Sequence, residues 1–144
     1  MISTDHRGRI HVNSEGDIVT VRRAVRDAAK DVGFGVTDLT RIVTAVSELT
    51  RNITLYAGCG EVRWRGVAAR RLWGIEVIFE DHGPGIADLE LALEKGYSTS
   101  GGLGLGLPGA KRLMDEMEIE TECGKGTRVT VRKWLRQPRP SGQR

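Results

Sequence analysis

Ile75-Glu76-Val77-Ile78-Phe79-Glu80-Asp81-His82-Gly83-Pro84-Gly85 reads as an apolar strand that runs out into an aspartate and a glycine turn. Asp81 stands where the buried strand ends. Gly83 and Gly85 permit backbone angles and close approaches that other residues forbid, and Pro84 stiffens the turn between them. A carboxylate in that place can accept a hydrogen bond from an exocyclic amine such as that of adenine. Standing by itself, the segment also reads as an ordinary turn after a strand, because Asp, Gly and Pro are common turn residues.

Two further segments change that balance. In Ser47-Glu48-Leu49-Thr50-Arg51-Asn52, Glu48 and Asn52 are four apart on a helix, so their side chains share one face. At about 100° per residue that face points away from the stripe of Ile42, Val43 and Val46. A solvated polar face is the bland reading. Leu49, Ile53 and Leu55 oppose it, because they leave little of this helix end to water. An Asn carboxamide oxygen is a hard ligand suited to Mg²⁺, and a glutamate one turn away can orient or deprotonate a hydroxyl. Downstream, the 14 residues from Gly96 to Gly109 hold six glycines, with Ser98, Thr99 and Ser100 among them. Successive backbone N–H groups opening onto a helix N-terminus suit phosphate. A surface lid without ligand would rarely need so many glycines, each costly to order.

Two motif matches fail on context. Gly104 to Gly109 fits GxGxxG, yet it follows a polar loop and no early βαβ unit surrounds it. Asp81-His82-Gly83 resembles the metal-binding triplet of eukaryotic-type protein kinases, but the chain has no HRD-type loop and is too short for that fold. His6, His11 and His82 have no metal-ligand spacing. Ser47 has no His/Asp partner set to make it a nucleophile.

Around these segments the pattern predicts a strand at Arg9–Asn13 and a helix from Gly16 to Val32 closed by Gly33. A second helix follows from Leu39 to about Ala57, capped by Thr37 or Asp38. Its apolar stripe is Leu39, Ile42, Val43, Val46, Leu49 and Ile53. Strands are expected at Glu61–Val67 and Leu72–Glu80, a short helix at Leu89–Leu93 and a loop at Gly96–Gly102. A third long helix from Leu105 to Met117 precedes a hairpin of Ile119–Cys123 and Thr127–Leu135 through Gly124-Lys125-Gly126. The class is an α/β two-layer sandwich, a mixed sheet with helices on one face.

At 144 residues the chain fits one domain, residues 1–136, with a disordered basic tail over 137–144. Without Arg136 at the domain's end and Arg139 and Arg144 of the tail, basic and acidic residues balance at 19 each, so the pI near 9.1 does not mark a nucleic-acid face. No signal peptide is evident at the N-terminus, and no apolar run approaches the roughly 18 residues of a membrane span. Cys59 and Cys123 lack CxxC spacing and read as reduced thiols of a cytoplasmic protein without a membrane partner.

With these segments in hand, the chain resembles the GHKL (Bergerat-fold) ATPases, and in particular the RsbT-type serine/threonine-protein kinases of bacterial stress signalling switches. Asp17 through Leu135 carries the resemblance. It is densest in Ala45–Ile53, Leu55–Gly58, Tyr97–Gly104, Gly106–Glu116 and Lys133-Trp134-Leu135-Arg136. The resemblance implies the Bergerat ATP-binding fold, ATP and Mg²⁺. Glu48 takes the general-base position and Asn52 the Mg²⁺-ligand position. Asp81 would bind the adenine amino group, helped by Gly83, Gly85 and Ile86. Gly102, Gly104 and Gly106 would hold the phosphates beneath a lid from Tyr97 to Gly101, with Thr99, Ser100, Gly101, Leu103 and Leu105 in the same nucleotide-binding run. Thr127 falls near the adenine. The implied substrate is a Ser or Thr of a STAS-domain antagonist, and the implied second partner a PP2C-type phosphatase. The alternative is an anti-sigma factor with kinase activity. One departure stands out: related anti-sigma kinases carry a lid arginine that contacts the γ-phosphate. Here Ser98-Thr99-Ser100-Gly101 has none, leaving Lys95, Lys111 or Arg112.

Overall fold

The computed structural model describes residues 2–3, 6–87 and 106–136. The expected short helix at Leu89–Leu93, the loop at Gly96–Gly102 and the tail from 137 lie outside them. So do the candidate residues Thr99, Ser100, Gly101, Gly102, Leu103, Gly104 and Leu105. In chain order the described elements are β1 (Ile2–Ser3), β2 (Gly8–Val12), α1 (Gly16–Val32), α2 (Val36–Tyr56), β3 (Gly60–Ala69), β4 (Leu72–Asp81), α3 (Gly106–Leu113), β5 (Glu116–Glu122) and β6 (Gly126–Trp134).

The six strands form one sheet in the order β1-β3-β4-β6-β5, with β2 also on β3. Every described pairing is antiparallel, where a mixed sheet was expected. Connectivity gives the reason. Two helices separate β2 from β3, so the chain returns in the opposite sense. One described helix separates β4 from β5, which do run the same way, but β6 inserts between them and pairs with both.

Alternation along the strands sorts the residues onto two faces. Ile75, Val77 and Phe79 of β4, with Val129 and Val131 of β6 and Val62 of β3, join α1, α2 and α3 in one buried core. α1 contributes Val21, Val25, Ala29 and Val32, and α2 contributes Leu39, Ile42, Val46, Leu49 and Ile53. Each of these Val, Leu, Ile and Phe side chains contributes about 1.5–3 kcal/mol relative to exposure. The α2 stripe is as expected except at Val43, which is only half-buried and lies outside this core, while Ala45 joins it. The start of α2 is not as expected: the helix begins at Val36 after an extended Gly35, with no side-chain cap. Asp38 is drawn instead to Arg41 at 3.0 Å and Lys133 at 3.9 Å. Leu55 is 46% exposed, contrary to its expected place over the helix end, because two residues past Ile53 turns it about 200° from the core.

The third helix is shorter than expected, ending at Leu113 instead of Met117. Glu116-Met117-Glu118-Ile119-Glu120-Thr121-Glu122 alternates with period two, and that pattern claims the segment for β5. The Asp115 N–H already donates to the Arg132 carbonyl at 2.9 Å, starting the strand pairing.

The sheet's other face is a lattice of ion pairs. Glu76, only 3% exposed, receives Arg65 at 2.8 Å and Arg132 at 2.7 Å. Arg132 also reaches Glu116 and Glu118. Burial works against the Arg132 guanidinium, yet the Glu76 hydrogen bond and charge outweigh it and raise its pKa. Two rows along, Glu80 receives Arg128 at 2.6 Å and Arg63 at 3.2 Å. The Arg128 hydrogen bond holds the Glu80 carboxyl below its ordinary range against the opposing effect of burial, and the charges of Arg128 and Arg63 add to it. Among the described residues no helix is long and apolar enough to cross a membrane.

Two outcomes follow from the lattice. The Glu80 carboxyl holds its proton less tightly folded than unfolded, so its contribution is complete above the ordinary value of 4.5 and is lost as pH falls through the lower folded value. Urea midpoints measured against pH should decline below that point, and Arg128→Ala should flatten the decline. Glu76→Ala removes the buried carboxylate shared by two guanidiniums and should cost about 3 kcal/mol in urea unfolding, the low end for a broken buried pair, since Arg132 keeps Glu116 and Arg65 reaches solvent.

Candidate active site

The inner face of the sheet changes character at one end. Val77, Phe79 and then Asp81 follow each other down β4, and β6 sets Val129 and then Thr127 beside them. Asp81 pairs in register with Thr127, Thr127 with Thr121 of β5, and Asp81 with Gly60 of β3. Apolar rows thus give way to a row of one carboxylate and two hydroxyls.

Hydrogen bonds tie this row to the turn after β4. Asp81 Oδ1 accepts from the Gly83 N–H at 2.9 Å. The Ile86 N–H donates to Thr121 Oγ1 at 2.9 Å, and Thr121 Oγ1 lies 3.0 Å from Thr127 Oγ1. The Gly124 N–H donates to the Pro84 carbonyl at 2.9 Å, closing the turn against the β5–β6 hairpin. Gly85 adopts φ +78° against the Glu122 carbonyl, and Gly126 adopts φ +123° against the Asp81 carbonyl. A Cβ at either position would be strained in angle and driven into backbone. The turn is therefore built, not loose. A cleft of about 340 Å³ opens at the strand ends, lined by Asp81, Thr121, Gly126 and Thr127 but also by Glu80, Glu120 and Arg128, so it extends onto the ion-pair face of the sheet.

α2 reaches the same end of the sheet with its last turns. Ile53 packs against Gly60, the partner of Asp81, and a side chain added at Gly83 would meet Ala57 at 2.6 Å. At its other end, Asp38 lies by Lys133, six residues along β6 from Thr127. Glu48 and Asn52 sit on the half of α2 nearer Asp81, outside the cleft itself. The Glu48 side chain is 17% exposed and held by Arg51 at 3.1 Å. Asn52 is half-buried, and among the described residues its carboxamide has no hydrogen-bond partner. Asp81 Oδ2 is likewise unpartnered among them.

Gly106, within the glycine cluster, is the first described residue of α3, whose expected start at Leu105 lies outside the described residues. Lys111 and Arg112 are exposed in the last turn of α3, at the end away from Gly106. Cys59 and Cys123 are free and exposed. Sequence reasoning missed Thr121, which joins Ile86 to Thr127. Its signal was present: in a strand alternating glutamate with Met117 and Ile119, a threonine occupies an apolar register position.

The domain is a two-layer α/β sandwich with helices over one face of an antiparallel sheet, and its inner face ends in this polar row and glycine turn. The chain belongs to the family described as histidine kinase-like ATPase domains, which matches residues 12–133. It is 51% identical over 127 residues to the serine/threonine-protein kinase RsbT of Bacillus subtilis, covering 88% of this chain and 96% of that one. That agreement places it among the serine/threonine-protein kinases. An anti-sigma F factor of Caldanaerobacter subterraneus is 33% identical over 120 residues, 79% of this chain and 82% of that one. Two solved structures share the fold. The RsbU and RsbW domains of a Mycobacterium tuberculosis protein align with TM-score 0.55 at 21% identity, over 92% of this chain and 34% of that one. The mycobacterial sensor histidine kinase MprB aligns with TM-score 0.54 at 20% identity, over 93% and 99%.

Thr121→Val keeps the shape and removes the hydroxyl that receives the Ile86 N–H. Leaving that donor unpaired should cost about 1–3 kcal/mol. Hydrogen exchange at the Ile86 amide should quicken markedly while amides in α1 keep their protection.

Proposed function

We propose that this protein transfers the γ-phosphoryl group of ATP, with Mg²⁺, to a Ser or Thr of a STAS-domain antagonist. The observation that carries the reading is the polar row at the end of β4. Asp81 keeps one carboxylate oxygen without a partner beside Thr127, inside a domain of an ATPase family. Asp81 accepts the exocyclic amine of adenine, and the built turn with Gly83, Gly85 and Ile86 fixes that acceptor in place. Thr127 stands next to it on β6. The run Thr99 to Gly106 supplies backbone N–H groups to the phosphates.

The unpartnered, half-buried carboxamide of Asn52 is the kind of hard oxygen donor that Mg²⁺ takes. The metal, when bound, neutralises phosphate charge. Glu48, one turn away and held by Arg51, accepts the proton of the attacking hydroxyl. Since phosphoryl transfer depends mostly on positioning and charge neutralisation, Asn52 should matter as much as Glu48. The likeness to RsbT supports the choice of a STAS-domain substrate, and with it a PP2C-type phosphatase as a second partner in a cytoplasmic switch. Residues 1–136 act as the single catalytic domain, with 137–144 as a tail.

Incubation with radiolabelled ATP and a STAS-domain protein should label the latter. Glu48→Ala and Asn52→Ala should each reduce labelling by about a hundredfold or more. Transfer that survives both substitutions would sink the mechanism. Asp81→Asn should weaken ATP binding about tenfold or more, a value calorimetry can read.

The likeness to the anti-sigma F factor favours a second reading, a kinase that sequesters a sigma factor. Recovery of a sigma subunit without a STAS partner in pull-downs would select it.

A further inference from the structure

Three polar residues are buried among the described ones: Thr50, Glu76 and Lys133. Thr50 bonds its own helix at the Val46 carbonyl, and Glu76 belongs to the ion-pair lattice. Lys133 is different. It follows Val129 and Val131 on the inner face of β6, where alternation calls for another apolar side chain. Its ammonium donates to the carbonyl of Leu113, the last residue of α3, at 2.8 Å. It also lies 3.6 Å from Asp115 Oδ1 and 3.9 Å from Asp38 Oδ1, in the first turn of α2.

Asp115 completes the arrangement. Its Oδ2 accepts from the Trp134 N–H at 2.8 Å and its Oδ1 from Arg136 Nη2 at 2.7 Å. The Trp134 indole N–H donates to Glu116 in the same junction. Lys133, Trp134 and Arg136 thus converge on the point where α3 becomes β5. This knot sits roughly 20 Å along β6 from Thr127, at the far end of the sheet from Asp81.

We propose that the Lys133–Asp115 knot is the axial anchor of α3, making Lys133 a positioning residue for phosphate binding although it lies remote from the nucleotide. This rests on the reading that the ATP phosphates sit at the run leading into Gly106. The apolar contacts of α3, made through Leu107 and Ala110, are non-directional and resist sliding along the helix axis poorly. The ammonium-to-carbonyl bond is directional, and a cation also suits the carbonyl end of a helix. The same ammonium faces Asp38, so one residue references α3 to the helix that carries Glu48 and Asn52. Displacing α3 along its axis moves Gly106 relative to Asn52 and leaves the row of Asp81, Thr127 and Thr121 in place, since sheet register holds that row.

The test compares affinities of the full chain for ATP with Mg²⁺ and for adenosine, which has the ring without phosphates. Lys133→Met should weaken ATP by roughly ten- to a hundredfold and adenosine by less than about twofold. Lys133→Arg, which keeps the cation, should restore most of the ATP affinity. A Lys133→Met protein that melts as a folded domain yet keeps the wild-type ratio of ATP to adenosine affinity overturns the inference and leaves the residue a structural cap. Should Lys133→Met fail to fold, Asp115→Asn decides by the same ratio: a fall supports the anchor, an unchanged ratio overturns it. Wild-type protein that binds ATP no tighter than adenosine would overturn the phosphate reading itself, and the anchor with it.

Discussion

β4 must satisfy two incompatible environments at once, and the rest of the domain is arranged around that demand. Ile75, Val77 and Phe79 are pressed against the helices, while Glu76 and Glu80 point the other way, each between arginines of both neighbouring strands. A slip of one residue would bury two carboxylates in the core and bring apolar side chains onto a guanidinium lattice. The registers of β3 and β6 are consequently pinned from both faces. With them is pinned the meeting of Asp81, Gly60 and Thr127 at the strand ends.

The candidate site arises where this two-sided constraint stops. Past Phe79 the apolar layer ends, and the next inner residues are polar or glycine. The chain leaves the sheet through a turn that the Gly124 N–H, Thr121 and the Asp81 carboxylate hold closed. α2 arrives there from the opposite end of the sheet, buried along Leu39, Ile42, Val46, Leu49 and Ile53 and therefore fixed in rotation. Glu48 and Asn52 gain their direction from that burial. Two polar groups, the Asn52 carboxamide and one Asp81 oxygen, remain without partners among the described residues.

Much of this was legible before any fold was known. The span of α1, the stripe of α2, the end of β4 at Asp81 and the hairpin through Gly124-Lys125-Gly126 all follow from periodicity and turn chemistry. Other features were hidden. The positive φ of Arg70 and Arg71 in the tight β3–β4 hairpin is imposed by the pairing of Ala69 with Leu72. Asp38 looked like a cap, yet its carboxylate is taken by Arg41 and by a lysine nearly a hundred residues away. The helix stops at Leu113 because the period-two alternation from Glu116 belongs to β5, and the pairing with Arg132 and the Lys133 ammonium fix the junction between the two.

Periodicities of 2 and 3.6 are properties of the chain itself, so they were enough to say which residues face a core, where elements end, and that a carboxylate, a carboxamide and a glycine cluster occur in an order suited to ATP. Which strands neighbour one another could not be read that way. Inserting β6 between β4 and β5 made the sheet antiparallel throughout its described pairings, set Thr127 beside Asp81, and gave Thr121 and Lys133 their partners. Each of those contacts joins residues on different strands or on a strand and a helix. Their energies belong to register and packing, which come into being only when the whole sheet is assembled.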